Sequence, residues 1–511
     1  MKKFSPLFLL SLLSACMVGP DYYTPATEVP EKWENTTSTI EKKSKDIAEE
    51  VTWWENYKDP LLTQLVKETI ESNYSLKVAF ATICQARASL LGAEAEILPE
   101  IDATGFYNRN ESSLNTQQFF NQQGALPQTP STSNNTGATA QRRFNLYRID
   151  FDATWEIDLF GRIRRGIEAA DANLDAQIDD MHNILLSLIA EVAVNYINLR
   201  SYQKQLEVTQ KSFKTWDYIY KLNQALLKAG LATDIDVSQA ETSRDQTEAS
   251  LAPLQASIKT TIHQLSVLVG KSPTYLYGLL CKVKPIPQIP QEFLLGLPST
   301  LLKRRPDIRA AERNLAASTA KIGVAEGSLL PIFSLTGSTI GYQSNFASNL
   351  VSPNSVFYSF GPSFTWNIID FGRVRAMINS AIAVRDENLY QYKNTILNAL
   401  ADVENSLVNY AAESRRYHDL KNAFEASKKA YDLSILRYES GLINFITVYQ
   451  TELTYQAVEI SLIQSQATLG INSVALYKAL GGGWEIDDTC WTQSNSTPCN
   501  VIELPQVTDR K

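Results

Sequence analysis

The stretch that decides the fold is YRIDFDATWEIDLFGRIRR, residues 147–165. From Tyr147 to Leu159 the odd positions are apolar (Tyr147, Ile149, Phe151, Ala153, Trp155, Ile157, Leu159) and the even ones polar or charged. A strict period of two is a strand with one apolar and one wet face. After Phe160-Gly161-Arg162 the period becomes seven. Ile178, Leu185, Val192, Leu199, Leu206, Phe213, Tyr220 and Leu227 keep that stride through a proline-free stretch from Arg162 to Ala229. This is the seam of a coiled coil. At about 1.5 Å per residue such a helix reaches ~100 Å, beyond any globular domain. Gly230 stands where a left-handed cap ends it.

The same unit occurs twice. Adding 211 to any position between Trp155 and Gly270 finds its equivalent without a gap: Trp366, Phe371-Gly372-Arg373, Gly441-Leu442 for Gly230-Leu231, and Gly481. The second seam reads Leu389, Ile396, Val403, Tyr410, Tyr417, Phe424, Tyr431, Tyr438 within a helix from Arg373 to Ser440. Upstream of the strands the offset is 232, so Leu98-Pro99 answers to Leu330-Pro331. The extra residues of the first hairpin fall in the Asn-, Gln- and Ser-rich loop 110–141. A repeat of this length is duplicated architecture.

Outward from these units, a helical pattern runs from Leu61 to Ile97, with strands at 100–109 and 142–160. A return helix spans Ile235 to Val269, bent at Pro253. Residues 271–298 are a Pro- and Gly-punctuated connection. Pro306 and Asp307 open a helix to Ser328. Strands lie around Phe333–Tyr342 and Val356–Ile368, and the last helix returns to Leu480. The expected organisation is a leader at 16–60, which straps along the body, and a first repeat at 61–270 with its hairpin at 100–160. The connection 271–298, a second repeat at 299–484 with its hairpin at 332–370, and a polar tail at 485–511 follow.

Net charge is −8 with no basic stripe, which argues against nucleic acid. Met1-Lys2-Lys3, an apolar run to Leu13 and Ser14-Ala15-Cys16 form a secretory signal, residues 1–15, that ends on a cysteine. No other run of about 18 apolar residues is present, so no membrane helix is expected, and a membrane crossing must be a closed β-barrel. Cys490 and Cys499 are placed to pair in a compartment that permits disulfides. Four strands cannot close a barrel, and an open edge in lipid is not tolerated. The barrel is therefore shared between chains: two chains give a filled barrel of eight strands, three a channel of twelve.

Five stretches carry a resemblance. They are Cys16-Met17-Val18-Gly19-Pro20-Asp21-Tyr22, Trp53-Trp54 with Asp59-Pro60-Leu61, Asp158–Arg162, Leu301–Glu312 (LLKRRPDIRAAE) and Tyr477–Trp484 (YKALGGGW). With them the chain resembles the TolC family of outer-membrane efflux channels, in its lipoprotein branch that serves resistance–nodulation–division pumps. The resemblance implies a mainly α fold with β: a trimer with a twelve-stranded β-barrel in the outer membrane, a twelve-helix tunnel through the periplasm and an equatorial belt that includes Arg304–Arg309. It implies lipid on Cys16 and an outer-membrane location in a Gram-negative bacterium, since Met17 is not the aspartate that retains lipoproteins in the inner membrane. It also implies a periplasmic adaptor and an inner-membrane pump as partners, with no cofactor, no metal and no catalysis.

By the same resemblance the working site is the periplasmic tip. Gly230-Leu231 and Gly441-Leu442 are the turns that dock the adaptor, and Gly161-Arg162 and Gly372-Arg373 are the strand–helix junctions. Tyr438 and Asp236 match a tyrosine and an aspartate that hold the iris shut; on the residues alone, Tyr438 is equally the last seam residue and Asp236 a first-turn carboxylate. Thr447 and Gln450 stand where relatives carry tip aspartates, and Ile443 replaces a basic residue. An acidic ring then rests on Asp234 and Asp236, and gating by metal ions is not expected.

An enzyme is disfavoured by inventory. His182, His263 and His418 are scattered and read as helix-surface residues, and no zinc or nucleophile motif is present. A type I protein-secretion channel and a non-conducting outer-membrane coiled coil are the competing readings. The cysteine-ended signal and LLKRRPDIRAAE favour the pump branch over the first, and two mid-chain hairpins argue against the second.

Overall fold

The computed structural model describes residues 17–34, 51–111, 143–290, 293 and 298–485. A 3-10 turn at Trp53–Tyr57 is followed by α1 (Pro60–Ser72), α2 (Tyr74–Ala95), β1 (Glu100–Glu111), β2 (Arg143–Ile157) and α3 (Arg162–Lys228). Next come α4 (Asp234–Ala249), α5 (Leu251–Leu268), α6 (Tyr277–Leu280), α7 (Pro298–Arg304), α8 (Pro306–Gly327), β3 (Ile332–Ser344) and β4 (Val356–Thr365). The chain closes with α9 (Arg373–Glu439) and α10 (Phe445–Ala479). Both long helices have 67 residues, as the repeat requires.

Contacts divide the chain into two compact units, each assembled from three segments. The first comprises Met1–Tyr23, Arg87–Ala172 and Ala316–Asp386. Its sheet is an antiparallel meander in the order β1-β2-β3-β4. The outward row is apolar and bare: Ile149, Phe151, Ile340, Tyr358, Phe360 and Phe364 are each exposed. On the other face of β2, Arg148 Nη2 donates to Asp150 Oδ2 at 2.7 Å, and Thr104 Oγ1 donates to Asp150 Oδ1 at 3.0 Å. Gly341 crosses at that point because a Cβ there would lie 2.4 Å from the Asp150 Cβ. An apolar face bare of protein and a polar, hydrogen-bonded face are the two sides of a barrel wall in lipid.

The duplication extends to single hydrogen bonds. Trp155 Nε1 donates to Ile97 O at 2.7 Å, and its equivalent Trp366 Nε1 donates to Leu329 O at 3.0 Å. Gly161 (φ +81°) and Gly372 (φ +92°) turn each strand into its helix through left-handed backbone. Arg162 clamps Glu156 with two hydrogen bonds of 3.1 and 2.8 Å, whereas Arg373 is exposed.

The second unit comprises Thr24–Ala86, Asn173–Leu315 and Glu387–Lys511. Within it three separated motifs meet. Trp53 and Trp54 are 0% and 2% exposed, and Trp53 stacks on Tyr477 at 5.2 Å. Gly483 faces Trp53 so closely that a Cβ would lie 2.8 Å from the indole nitrogen. Trp484 Nε1 donates to Arg304 O at 3.0 Å, and the Arg309 guanidinium lies over the Trp484 ring. Asp59 caps α1 through the Leu61 N–H and accepts the Tyr196 hydroxyl at 2.7 Å. These motifs are a structural clasp. Trp33 is buried in the same unit, and the Glu34 N–H donates to Glu404.

Several expectations are corrected. The helix from Leu61 is broken at Asn73, whose side chain accepts from the Ser75 N–H and donates to Leu268 O at 2.7 Å. A side chain that both caps a new helix and ties it to α5 outweighs helix continuity. The return helix is divided at Ser250, where Pro253 offers no N–H to Ala249 O. Strand β2 stops at Ile157 and β4 at Thr365, short of 160 and 368. The connection contains α6. His182 is not a surface residue: it is 4% exposed with its ring 4.6 Å from that of Trp484. One window of α3 is apolar enough to cross a membrane (mean hydropathy 1.3), but 67% of it is buried in the chain, so it is a core helix. Signal peptide 1–15, Cys16, Cys490, Cys499 and loop 112–142 lie outside the described residues, as does the tail beyond Glu485.

Candidate gate at the helical turns

The second unit contains both turns in which a long helix hands over to its return helix. They are the same device. Gly230 (φ +73°) and Gly441 (φ +72°) place the next N–H onto the preceding helix: Leu231 N–H to Leu226 O at 2.8 Å, Leu442 N–H to Arg437 O at 2.9 Å. This is the Schellman pattern. Leu231 and Leu442 follow in the open, 76% and 73% exposed, a pair of apolar projections at equivalent places.

The return helices start with different chemistry. Thr233 caps α4 in a reciprocal box: its hydroxyl accepts the Asp236 N–H, and the Asp236 carboxylate accepts the Thr233 N–H at 2.9 Å and its hydroxyl at 2.7 Å. In the second turn Asn444 is the cap, accepting the Thr447 N–H at 3.3 Å and hydroxyl at 2.9 Å. Asp236 and Thr447 are equivalent positions of the repeat, so Thr447 fills the slot of a carboxylate. Asp234 and Gln450 are exposed, and the Gln450 carbonyl accepts from the Thr454 hydroxyl at 2.8 Å.

Behind the turns the four helix ends share an aromatic cluster. Trp216, Ile219, Ala240 and Phe445 are buried, with Tyr220, Tyr438 and Tyr449 packed on them. Tyr449 meets Trp216 edge-on at 5.2 Å, and its hydroxyl accepts from Ser243 Oγ at 3.2 Å. Tyr438 meets Phe445 at 6.3 Å. Partial burial raises the Tyr438 pKa, and the negative charge of Asp236 raises it further. The two residues thus feel one another across the turns, while the Asp236 carboxylate is bonded to its own cap. Beside them opens an apolar cleft of about 850 Å³, with Tyr218, Leu222, Tyr431 and Ile435 in its walls and Lys211 and Lys214 on its α3 side.

The sequence reading missed Glu452. It lies on α10 between Val448 and Tyr455, 3% exposed, and its Oε2 has no hydrogen-bond partner. Burial pushes its carboxyl up to about 7; the Tyr431 hydroxyl and Lys211 pull it down, and Glu459 adds to the rise. The signal was present: Phe445, Val448, Glu452 and Tyr455 step by three and four, which puts a carboxylate on the apolar stripe.

The chain matches the sequence profile of the family described as Outer membrane efflux protein over residues 65–271 and 297–482, one match for each repeat. It is 30% identical over 480 residues to Nodulation protein T of Rhizobium leguminosarum bv. trifolii, covering 94% of this chain and 97% of that one. It is 29% identical over 485 residues to the Pyoverdine export outer membrane protein OpmQ of Pseudomonas aeruginosa, covering 94% and 97%. Among solved structures it is similar to the outer-membrane channel OprN, with a TM-score of 0.81 and 33% identity over 92% of this chain and 100% of that one.

Proposed function

The chain belongs to the outer membrane efflux protein family, and from that premise we propose how its parts divide the work of an outer-membrane exit duct. Three chains close one barrel. The observation that carries this is the four-stranded sheet with unpaired edges at β1 and β4 and a bare apolar outer face. Twelve strands satisfy every edge in lipid and leave a water-filled bore. Each hairpin runs directly into a 67-residue helix, so the bore continues between helices into the periplasm.

Transport through it is passive and conformational, without catalysis. An inner-membrane pump of the resistance–nodulation–division type delivers the substrate, and a periplasmic adaptor seats on Gly230-Leu231 and Gly441-Leu442, whose leucines project bare. Lipid on Cys16 anchors each chain to the outer membrane. The tip is the gate: the Trp216–Phe445–Tyr449 cluster holds the turns together, and Tyr438 with Asp236 form the contact that opens.

Dye efflux tests this. Cells deleted for the chain accumulate ethidium, and the wild-type chain restores its expulsion while cross-linking to two further copies. Full expulsion in the deleted cells, with no change on complementation, contradicts the exit-duct assignment.

A further inference from the structure

The motif Met17–Tyr22 is not used by any step of conduction, yet it occupies a built site in the first unit. The Val18 N–H donates to Phe160 O at 3.0 Å. Arg165 is 2% exposed and spends its guanidinium on the leader: Nε donates to Val18 O at 3.2 Å, and Nη2 to Gly19 O at 3.2 Å and Asp21 Oδ1 at 2.6 Å. Its Nη1 donates to Glu168 at 2.7 Å. Glycines let the strands of chain touch. A Cβ on Gly161 would lie 2.7 Å from Met17 Cγ, and one on Gly323 2.7 Å from Val18 O. A Cβ on Gly19 (φ +98°) would lie 2.4 Å from Gly323 Cα. Tyr22 then packs on Ala172, Ala316 and Ala317.

The duplication supplies an internal control. In the second repeat Arg165 is replaced by Ala376, and Gly372, the equivalent of Gly161, has nothing within 4 Å of its Cβ direction. Gly323 in turn corresponds to Leu91 of the first repeat, which is 65% exposed. Sequence has been altered to receive the leader at one junction only. Leader oxygens accept three of the Arg165 hydrogen bonds, so the site is incomplete when the leader is absent.

We infer that Arg165, with Gly161 and Gly323, is a receptor for leader residues 17–22 that fixes Met17 beside the first strand–helix junction, so that a lipid carried on the preceding residue of the sequence, Cys16, enters the membrane at one set place per chain. This rests on the lipoprotein reading of Cys16. Arg165 is a positioning residue, and the leader motif is its ligand.

The test uses the full chain in its own membranes as wild type, Arg165→Ala, Arg165→Lys, Cys16→Ser and an insertion of eight Gly/Ser residues between Cys16 and Met17. Three readouts are taken: the mass of the N-terminal peptide, the rate of chymotryptic cleavage at Tyr22–Tyr23, and the rate of assembly into the outer-membrane oligomer. Arg165→Ala is expected to keep its lipid, to be cleaved roughly tenfold faster or more, since charge-assisted hydrogen bonds are lost, and to assemble more slowly. Arg165→Lys, which retains the charge but not the fork, falls between and serves if the alanine variant does not fold. The insertion leaves Tyr22 protected yet slows assembly, and Cys16→Ser leaves Tyr22 protected. Unchanged cleavage in both Arg165 variants overturns the receptor. Faster cleavage with assembly at the wild-type rate, in Arg165→Ala and in the insertion, overturns the positioning role. A wild-type peptide without lipid overturns the lipoprotein reading alone, and the cleavage rates still decide the receptor.

Discussion

The two repeats have one backbone plan and two different loads. At the first strand–helix junction Gly161 lies beneath Met17, and Arg165 grips the leader; at the second, Gly372 is open and Phe371 is 98% exposed. The long helices differ in the same way. In α3 the middle of the seam and the residues beside it are buried, with Leu185, Leu186, Ile189, Val192 and Ile197 at 3% exposure or less. In α9 only a narrow stripe (Ile396, Val403, Tyr410) is covered, and Tyr390, Leu397 and Val408 face outward. Duplication made two equal elements; one became the core of the chain and the other kept an uncovered face for its neighbours.

That difference predicts unequal costs at equal positions. Leu186 and Leu397 are the same residue in the same place of the repeat, at 3% and 64% exposure. Leu186→Ala is expected to destabilise the chain by about 2–5 kcal/mol. Leu397→Ala stays within roughly 0.5 kcal/mol for the chain itself but weakens association of chains. Denaturant unfolding and dissociation of the oligomer, measured separately, sharpen the contrast; equal unfolding costs break it.

Next in size is a pair of glutamates. Glu241 is a half-exposed surface residue, and its equivalent Glu452 is buried with a carboxyl at about 7. An acid whose folded pKa is raised packs best when protonated. Its contribution is therefore whole below pH 4.5, falls as pH rises and is fully lost above about 7. Glu452→Gln is expected to raise stability at pH 8 by up to about 3 kcal/mol, to change it little at pH 4, and so to flatten the pH profile of thermal unfolding.

Smaller effects are expected at the turns, where the repeats are most alike. Gly230 and Gly441 have left-handed backbone and empty space around their Cβ direction. Alanine at either is expected to cost about 1–2 kcal/mol from backbone strain alone, and the two values should agree in thermal melts. The caps differ slightly. Asp236→Ala removes two hydrogen bonds and Thr447→Ala one, since Asn444 keeps the Thr447 N–H. Losses of about 1 and a few tenths of a kcal/mol are expected, readable as local hydrogen exchange in α4 and α10.

What the sequence made legible was whatever repeats with a short period. Strand β2 alternates because one face meets lipid and the other water, and the heptads mark helices whose seams are covered: none of the seam residues named above is exposed. The glycine turns were readable because left-handed backbone at a helix end has few other solutions. Breaks that depend on a distant partner were not. Asn73 ends α1 by bonding Leu268 O, and nothing near Asn73 encodes that carbonyl. His182 is buried by Trp484, three hundred residues away in the chain. At the helical turns the glycines and caps were legible, but the aromatic cluster draws Trp216, Tyr438 and Phe445 from three helices, and Glu452 is perturbed by which face of α10 is covered. The leader motif was recognisable as a motif; its partner Arg165 needed the fold.

The measurement that tests the central claim most directly is single-channel conductance of the purified native oligomer in planar bilayers, with its mass counted in chains. Three chains are expected, with a small, steady resting conductance that rises when Tyr438→Phe or Asp236→Ala loosens the tip. A well-folded oligomer that passes no current, in the wild type and in both variants, would contradict the duct itself.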